Sequence, residues 1–141
     1  MLTLPTDSAA RKQIPLLSGV LRYFPAALAG VAQISQAGND KHNPGEPLHH
    51  ARGKSMDHGD CLLRHLVDLQ DHLAAGESVA ALSEADAIAW RALALSQELH
   101  ERYGGAPLAP GARLPKDCRE WDRVRAEDEG RVIPQSNPNP A

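Results

Sequence analysis

Between Ser55 and Gly76, Leu62, Leu66, Leu69 and Leu73 recur at intervals of four, three and four, a spacing that lines one side of an α-helix and neither face of a strand. Ser55 is a suitable cap, and the helix is expected to run to about Ala75 and stop at Gly76. Upstream, Phe24, Leu28 and Val31 share helical spacing, with Pro25 suited to a first turn and Gly38 to an end, so a helix is expected from about Arg22 to Gln36. Downstream, a third begins near Leu82 with Ser83 as its cap. It carries Ile88, Ala92, Leu95 and Leu99 as an apolar stripe and ends near Tyr103, before Gly104-Gly105. Aromatic residues make up 4% of the chain and no long run of β-branched residues alternates, so strands are not expected. The fold class is all-α, a small bundle of about three main helices.

A chain of 141 residues, 42% hydrophobic, can build one small core. Residues 1–21 read as an N-terminal arm, 22–103 as the helical domain and 104–141 as an irregular tail, rich in proline and charge and partly disordered, where only KDCREWDRVRAED suits a short helix. Three amphipathic helices bury little surface by themselves, so a homo-oligomer, most simply a dimer, is expected to complete the bundle. Fifteen basic residues against 18 acidic ones, for a net charge of -3, give no broad footprint for duplex nucleic acid. No apolar run approaches the ~18 residues of a membrane span, and the N-terminus lacks the pattern of a secretory signal, so a soluble cytoplasmic protein is expected. Cys61 and Cys118 lie on segments that look unrelated and imply no disulfide framework.

Five of the seven histidines (His42, His49, His50, His58 and His65) fall within residues 39–65, NDKHNPGEPLHHARGKSMDHGDCLLRH, together with four acids and four bases. A stretch that only built a core would not need so many groups that titrate or ligate near neutral pH. Residues 37–54 contain Gly38, Pro44, Gly45, Pro47 and Gly53, and therefore read as a long loop that builds a site rather than a passive connection. Helical spacing puts Asp57, Asp60, Arg64 and Asp68 on one side of the second helix and His58, Cys61 and His65 on an adjoining strip. The loop is expected to fold back over the aspartate side, making a charged hollow.

The segments ARKQIPL, YFPAALAGVAQIS, GNDKHNPGEPLHHARGKSMDHGDCLLRHL and AWRALALSQEL, from Ala10 to about Glu101, resemble in that order the phage-associated dATP/dGTP diphosphohydrolase N-terminal domain family. The most specific block is KHNPGEPLHHARGKSMDHGDCLLRH. The resemblance implies an all-α protein, comparable to MazG-like nucleotide pyrophosphohydrolases, of a bacterial or phage-infected cell. Such a protein splits a purine deoxynucleoside triphosphate into monophosphate and pyrophosphate with Mg²⁺ or Mn²⁺. That chemistry needs hard oxygen ligands, cations for phosphate charge and a positioned water. On this reading Asp57, Asp60 and Glu84 hold the metal. Lys41, His42, Asn43, Lys54 and Arg64 bind the substrate, and His58 or His65 orients or deprotonates the water. MazG-like enzymes typically use a Glu-x-x-Glu pair and a Glu-x-x-Asp pair. Here Asp57-His-Gly-Asp60 stands for the first, while Glu84 and Asp86, two residues apart, do not reproduce the second.

Two other functions fit the same residues: a non-catalytic nucleotide- or signal-binding module of phage origin, and a small interaction protein that binds Zn²⁺ through His58, Cys61 and His65 with His42 or His50 as fourth ligand. His49 and His50 otherwise read as loop residues that hold backbone carbonyls, Cys61 as a small buried residue, and Trp90 as core or as a rim on which a base stacks. The adjacent His-Asp pair of HD-type phosphohydrolases, phosphate loops, nucleophile elbows and paired Cys-x-x-Cys motifs do not occur.

Overall fold

The computed structural model describes residues 1–114. The chain is mostly helical, in the order α1 (Ser8–Lys12), a π-helical turn (Leu17–Leu21), α2 (Pro25–His42), β1 (His50–Ala51), α3 (His58–Ala75), α4 (Ser78–Tyr103) and β2 (Ala112–Arg113). The segment Ser8–Leu21 meets α2 at 85°, and Pro25 opens α2, where its missing N–H costs nothing. No single helix among the described residues is long and apolar enough to cross a membrane. The helix expected within KDCREWDRVRAED, the disorder expected at the end of the tail, and Cys118 all lie outside the described residues.

Helices α3 and α4 form an antiparallel hairpin on which α2 packs through α4. The hairpin turn is short because Gly76 takes a left-handed conformation (φ 74°), and the Gly76 and Glu77 N–H groups donate to carbonyls of the last turn of α3. The side chain of Glu77 then meets Nδ1 of His72 at 2.6 Å. Helix α4 therefore starts at Ser78, four residues before the start expected from its apolar pattern, and Ser83 sits inside the helix rather than capping it. The cap expected at Ser55 also moves, because α3 begins at His58 after Asp57.

The centre of the molecule is lined by small side chains. Ala81, Ala87 and Ala94 of α4 are buried, and Gly30 of α2 is buried where a Cβ would strike the carboxylate of Asp86. The stripe Ile88, Ala92, Leu95 and Leu99 expected to face the core is therefore displaced: Leu95 and Leu99 are exposed, and the alanine side of α4 makes the contact. Alanine and glycine let the helix backbones approach closely, whereas the leucine side would hold them apart. On α3, Leu62 and Leu69 are half-buried, while Leu66 and Leu73 remain exposed.

Helix α2 continues to His42, six residues past the end expected at Gln36. Gly38 lies inside it with open space around the position of its missing side chain, so the local penalty of about 1 kcal/mol for a helical glycine is the only cost. Lys41 and His42 complement the carbonyl end of the helix, and Asn43, before Pro44, closes it with an N–H bond to the Asn39 carbonyl. The loop is thus confined to 43–57. The part of the tail within the described residues also has order: β2 pairs in parallel with β1, His50 opposite Ala112 and Ala51 opposite Arg113, which returns the chain after α4 to the loop.

Candidate functional site

The loop is held down by buried polar residues, since it has little apolar side chain to bury. Asn39, 4% exposed, donates from its amide to the Glu46 carbonyl at 3.0 Å, and His49 Nδ1 lies 2.9 Å from the Pro47 carbonyl oxygen, the backbone-holding role expected of it. The strongest anchor is Arg52, 2% exposed, whose Nε and NH2 donate to the two carboxylate oxygens of Glu101 on α4 at 2.8 Å each. Gln97 and the Ala109 N–H donate to the same carboxylate at 2.9 and 3.0 Å, so one acid ties the loop, α4 and the returning chain together. Burial alone would push the Glu101 carboxyl up. The hydrogen bonds from Arg52, Gln97 and the Ala109 N–H outweigh it and hold the carboxyl below its ordinary range.

Beside this anchor, His58 Nε2 lies 3.2 Å from Glu98 Oε1, and His50 Nε2 lies 3.8 Å from the same oxygen. Arg52 NH1 contacts Nδ1 of His50, and Arg91 NH1 lies 3.4 Å from Nδ1 of His58. The His50 ring packs edge-on against Trp90 at 4.9 Å, and Arg91 lies over the Trp90 ring at 5.4 Å. Burial first, then the guanidinium of Arg52 and the neighbouring His58 and Arg91, which together outweigh the opposing charge of Glu101, push His50 down to about 4, so it is neutral at physiological pH. His50 therefore does not hold a carbonyl as the sequence suggests. It belongs to a polar cluster with His58, Glu98 and Trp90.

Between the end of α2, the loop and the α3/α4 hairpin lies a cavity of about 500 Å³. Of the residues expected to make a site, Lys41, His42, Asn43, Lys54, His65 and Glu84 all line it, joined by His49, His50, Trp90 and Arg91. His65 Nδ1 and Glu84 Oε2 face each other at 2.6 Å across the two hairpin helices. Three cations, Lys41, Lys54 and Arg91, thus share a hollow with Trp90 on its wall and one carboxylate, that of Glu84, on the hairpin side.

The remaining expected residues lie elsewhere. Asp57 and Arg64 are exposed and paired to each other at 2.9 Å, with the Cys61 sulfur 2.9 Å from Arg64, and Asp60 is exposed outside the cavity. The hydrogen bonds from Arg64 and then Cys61 hold the Asp57 carboxyl below its usual range, as suits a solvated ion pair. The loop folds over the histidine side of α3, not the aspartate side, because Arg52 must reach Glu101 on α4. His58 is buried behind Trp90 and does not line the cavity.

The zinc set is likewise not assembled: His58 points to Glu98, Cys61 to Asp57 and His65 to Glu84. Two turns of helix rise, ~10 Å, separate positions seven residues apart, too far for one ion. Cys61 is half-exposed rather than buried.

Among the described residues, two groups could hold a metal ion, His50, His58 and Glu98 in one and His65, Asp68 and Glu84 in the other, each with its ligand atoms within 4.8 Å of one another. Sequence reasoning missed Arg52, Glu98, Glu101 and Asp68 as parts of these arrangements. Arg52 and Glu101 are 49 positions apart and carry no local signal, whereas Asp68, three residues after His65 on one helix, was legible as a neighbour. Comparison with known proteins finds no family model, no curated protein and no solved structure that matches the chain.

Proposed function

We propose that the protein hydrolyses a purine deoxynucleoside triphosphate, dATP or dGTP, to the monophosphate and pyrophosphate with Mg²⁺ or Mn²⁺, as the resemblance in its central block implies. The observation that carries the reading is the cavity, because it joins three phosphate-sized cationic groups, an aromatic wall and a histidine–carboxylate pair in a volume suited to a nucleotide. Lys41, Lys54 and Arg91 neutralise the phosphate oxygens, Asn43 and His42 donate hydrogen bonds, and Trp90 offers its face to the base. The divalent cation supplies charge stabilisation at the phosphates when bound. Water attacks the α-phosphorus, the bond from that phosphorus to the bridging oxygen breaks, and pyrophosphate leaves with that oxygen. The proton lost by the water passes to the His65–Glu84 pair, since His65, unlike His58, reaches the cavity.

The test is incubation of the full chain with a panel of nucleoside triphosphates and Mg²⁺ or Mn²⁺, with products separated by ion exchange. Deoxypurine monophosphate plus pyrophosphate is the expected result. Release of inorganic phosphate or of intact triphosphate overturns the reaction class. Thermal stabilisation by nucleotide without turnover would instead favour the binding module. The same reading places the protein in the cytoplasm of a bacterial or phage-infected cell and, given the exposed leucines on α3 and α4, in a homodimer.

A further inference from the structure

We infer that the divalent cation binds His65, Asp68 and Glu84 of α3 and α4, of which His65 and Glu84 line the cavity and Asp68 is exposed, and not the more enclosed trio of His50, His58 and Glu98. The inference rests on the reading of the cavity as a metal-dependent nucleotide site, and chooses between two donor sets that geometry alone leaves equal.

The enclosed trio is already satisfied by protons. An arginine N–H points at Nδ1 of each histidine, from Arg52 to His50 and from Arg91 to His58, so each Nδ1 presents its lone pair and the ring proton sits on Nε2. Those Nε2–H groups face Glu98 Oε1, that of His58 at 3.2 Å and that of His50 at 3.8 Å. To take a metal, each Nε2 would have to lose its proton while two guanidinium groups stayed in place beside the ion. Arg52 cannot move aside, because it is the buried anchor on Glu101.

At the other trio the situation is reversed. His65 and Asp68 stand three residues apart on α3 and Glu84 faces them from α4, so ligands from two rigid helices converge without any backbone change. Among the described residues no arginine or lysine is paired with any of the three, and the short contact between His65 Nδ1 and Glu84 Oε2, 2.6 Å, is held by one proton. A cation replaces that proton, since two adjacent ligands of an ion at ordinary bond lengths stand ~3 Å apart. Two carboxylates and one imidazole form a hard donor set suited to Mn²⁺ or Mg²⁺. Glu84 can bind through one oxygen and keep the other for the proton released by the attacking water. His65 and Glu84 line the cavity that Lys41 and Lys54 also line, which leaves phosphate to complete the coordination.

The test is titration of the full chain with Mn²⁺ alone, followed by the loss of the free-ion electron paramagnetic resonance signal. Saturable binding is expected, weakened about tenfold or more in Glu84→Gln and in His65→Gln, partly restored in Glu84→Asp, and unchanged in Glu98→Gln. Circular dichroism identifies any variant that fails to fold, and His65→Gln and Glu84→Gln check each other. No saturable binding, or binding abolished by Glu98→Gln and insensitive to Glu84→Gln, overturns the assignment. Mn²⁺ bound as described without nucleotide turnover would overturn the proposed reaction and leave the metal site standing. Turnover with metal binding indifferent to Glu84 would do the opposite.

Discussion

Replacing Glu101 with glutamine removes the charge that holds Arg52, and the structure sets the scale of the consequence. The guanidinium and carboxylate meet at 2.8 Å with both side chains 2% exposed. At an effective dielectric of about 20 their gross attraction is about 6 kcal/mol, most of it cancelled by the cost of taking two ions out of water. Removing one partner leaves the other charge buried and uncompensated, which in general costs about 3–5 kcal/mol. The amide of Glu101→Gln keeps one acceptor, so about 3 kcal/mol is expected. The loss should concentrate where the pair acts, as faster amide hydrogen exchange in residues 43–57 and 106–113 and a lower urea midpoint. Because both charges can be removed together, Arg52→Met combined with Glu101→Leu should recover most of the loss. A single variant within about 0.5 kcal/mol of the wild type, or a double variant no better than the single, would refute the argument that this pair staples the loop to α4.

Other consequences follow from the same geometry. His50 cannot take up a proton in the folded state until about pH 4, whereas its unfolded value is 6.5, so the unfolded chain binds more protons across that window and stability falls as pH drops through it. After discounting for the partial exposure of the ring, 26%, the loss attributable to His50 is about 1–2 kcal/mol, read as the difference in pH dependence of the urea midpoint between wild type and His50→Gln. Identical profiles would remove His50 from the account. Lys41→Ala and Lys54→Ala should each weaken nucleotide binding about fivefold by calorimetry, more at low salt than at high, and an unchanged affinity in both would empty the cavity of its assigned ligand. Asp60→Asn and Arg64→Ala, whose side chains lie outside the cavity, should leave turnover within about twofold; loss of activity in either would return the site to the aspartate side of α3. Light scattering after size exclusion should give twice the chain mass, and a stable monomer would contradict the dimer.

Helix existence was legible in local pattern because a helix depends on residues three and four positions apart. Leu62 to Leu73, stopped by Gly76, marked α3 to its last residue, and the concentration of histidine and charge in 39–65 marked most of the cavity wall, including Lys41, His42, Asn43, Lys54 and His65. Local pattern misled at Gly38, Ser55 and Ser83. A glycine can be carried inside a helix, and a serine is a cap only if the chain actually turns there.

The sequence by itself therefore determined that the chain is helical, where its breakers lie and where histidine and charge concentrate, since each of these is a property of neighbours along the chain. Only the tertiary structure decided which groups meet. It set the alanine side of α4 inward, because small side chains let helices approach. It brought Glu84 to His65 across the hairpin, and placed Arg52 on Glu101, 49 residues away. That last contact turned the loop toward the histidines of α3 and left Asp57 and Asp60 in solvent. A buried guanidinium must find its carboxylate, and the partner's position depends on how the helices pack.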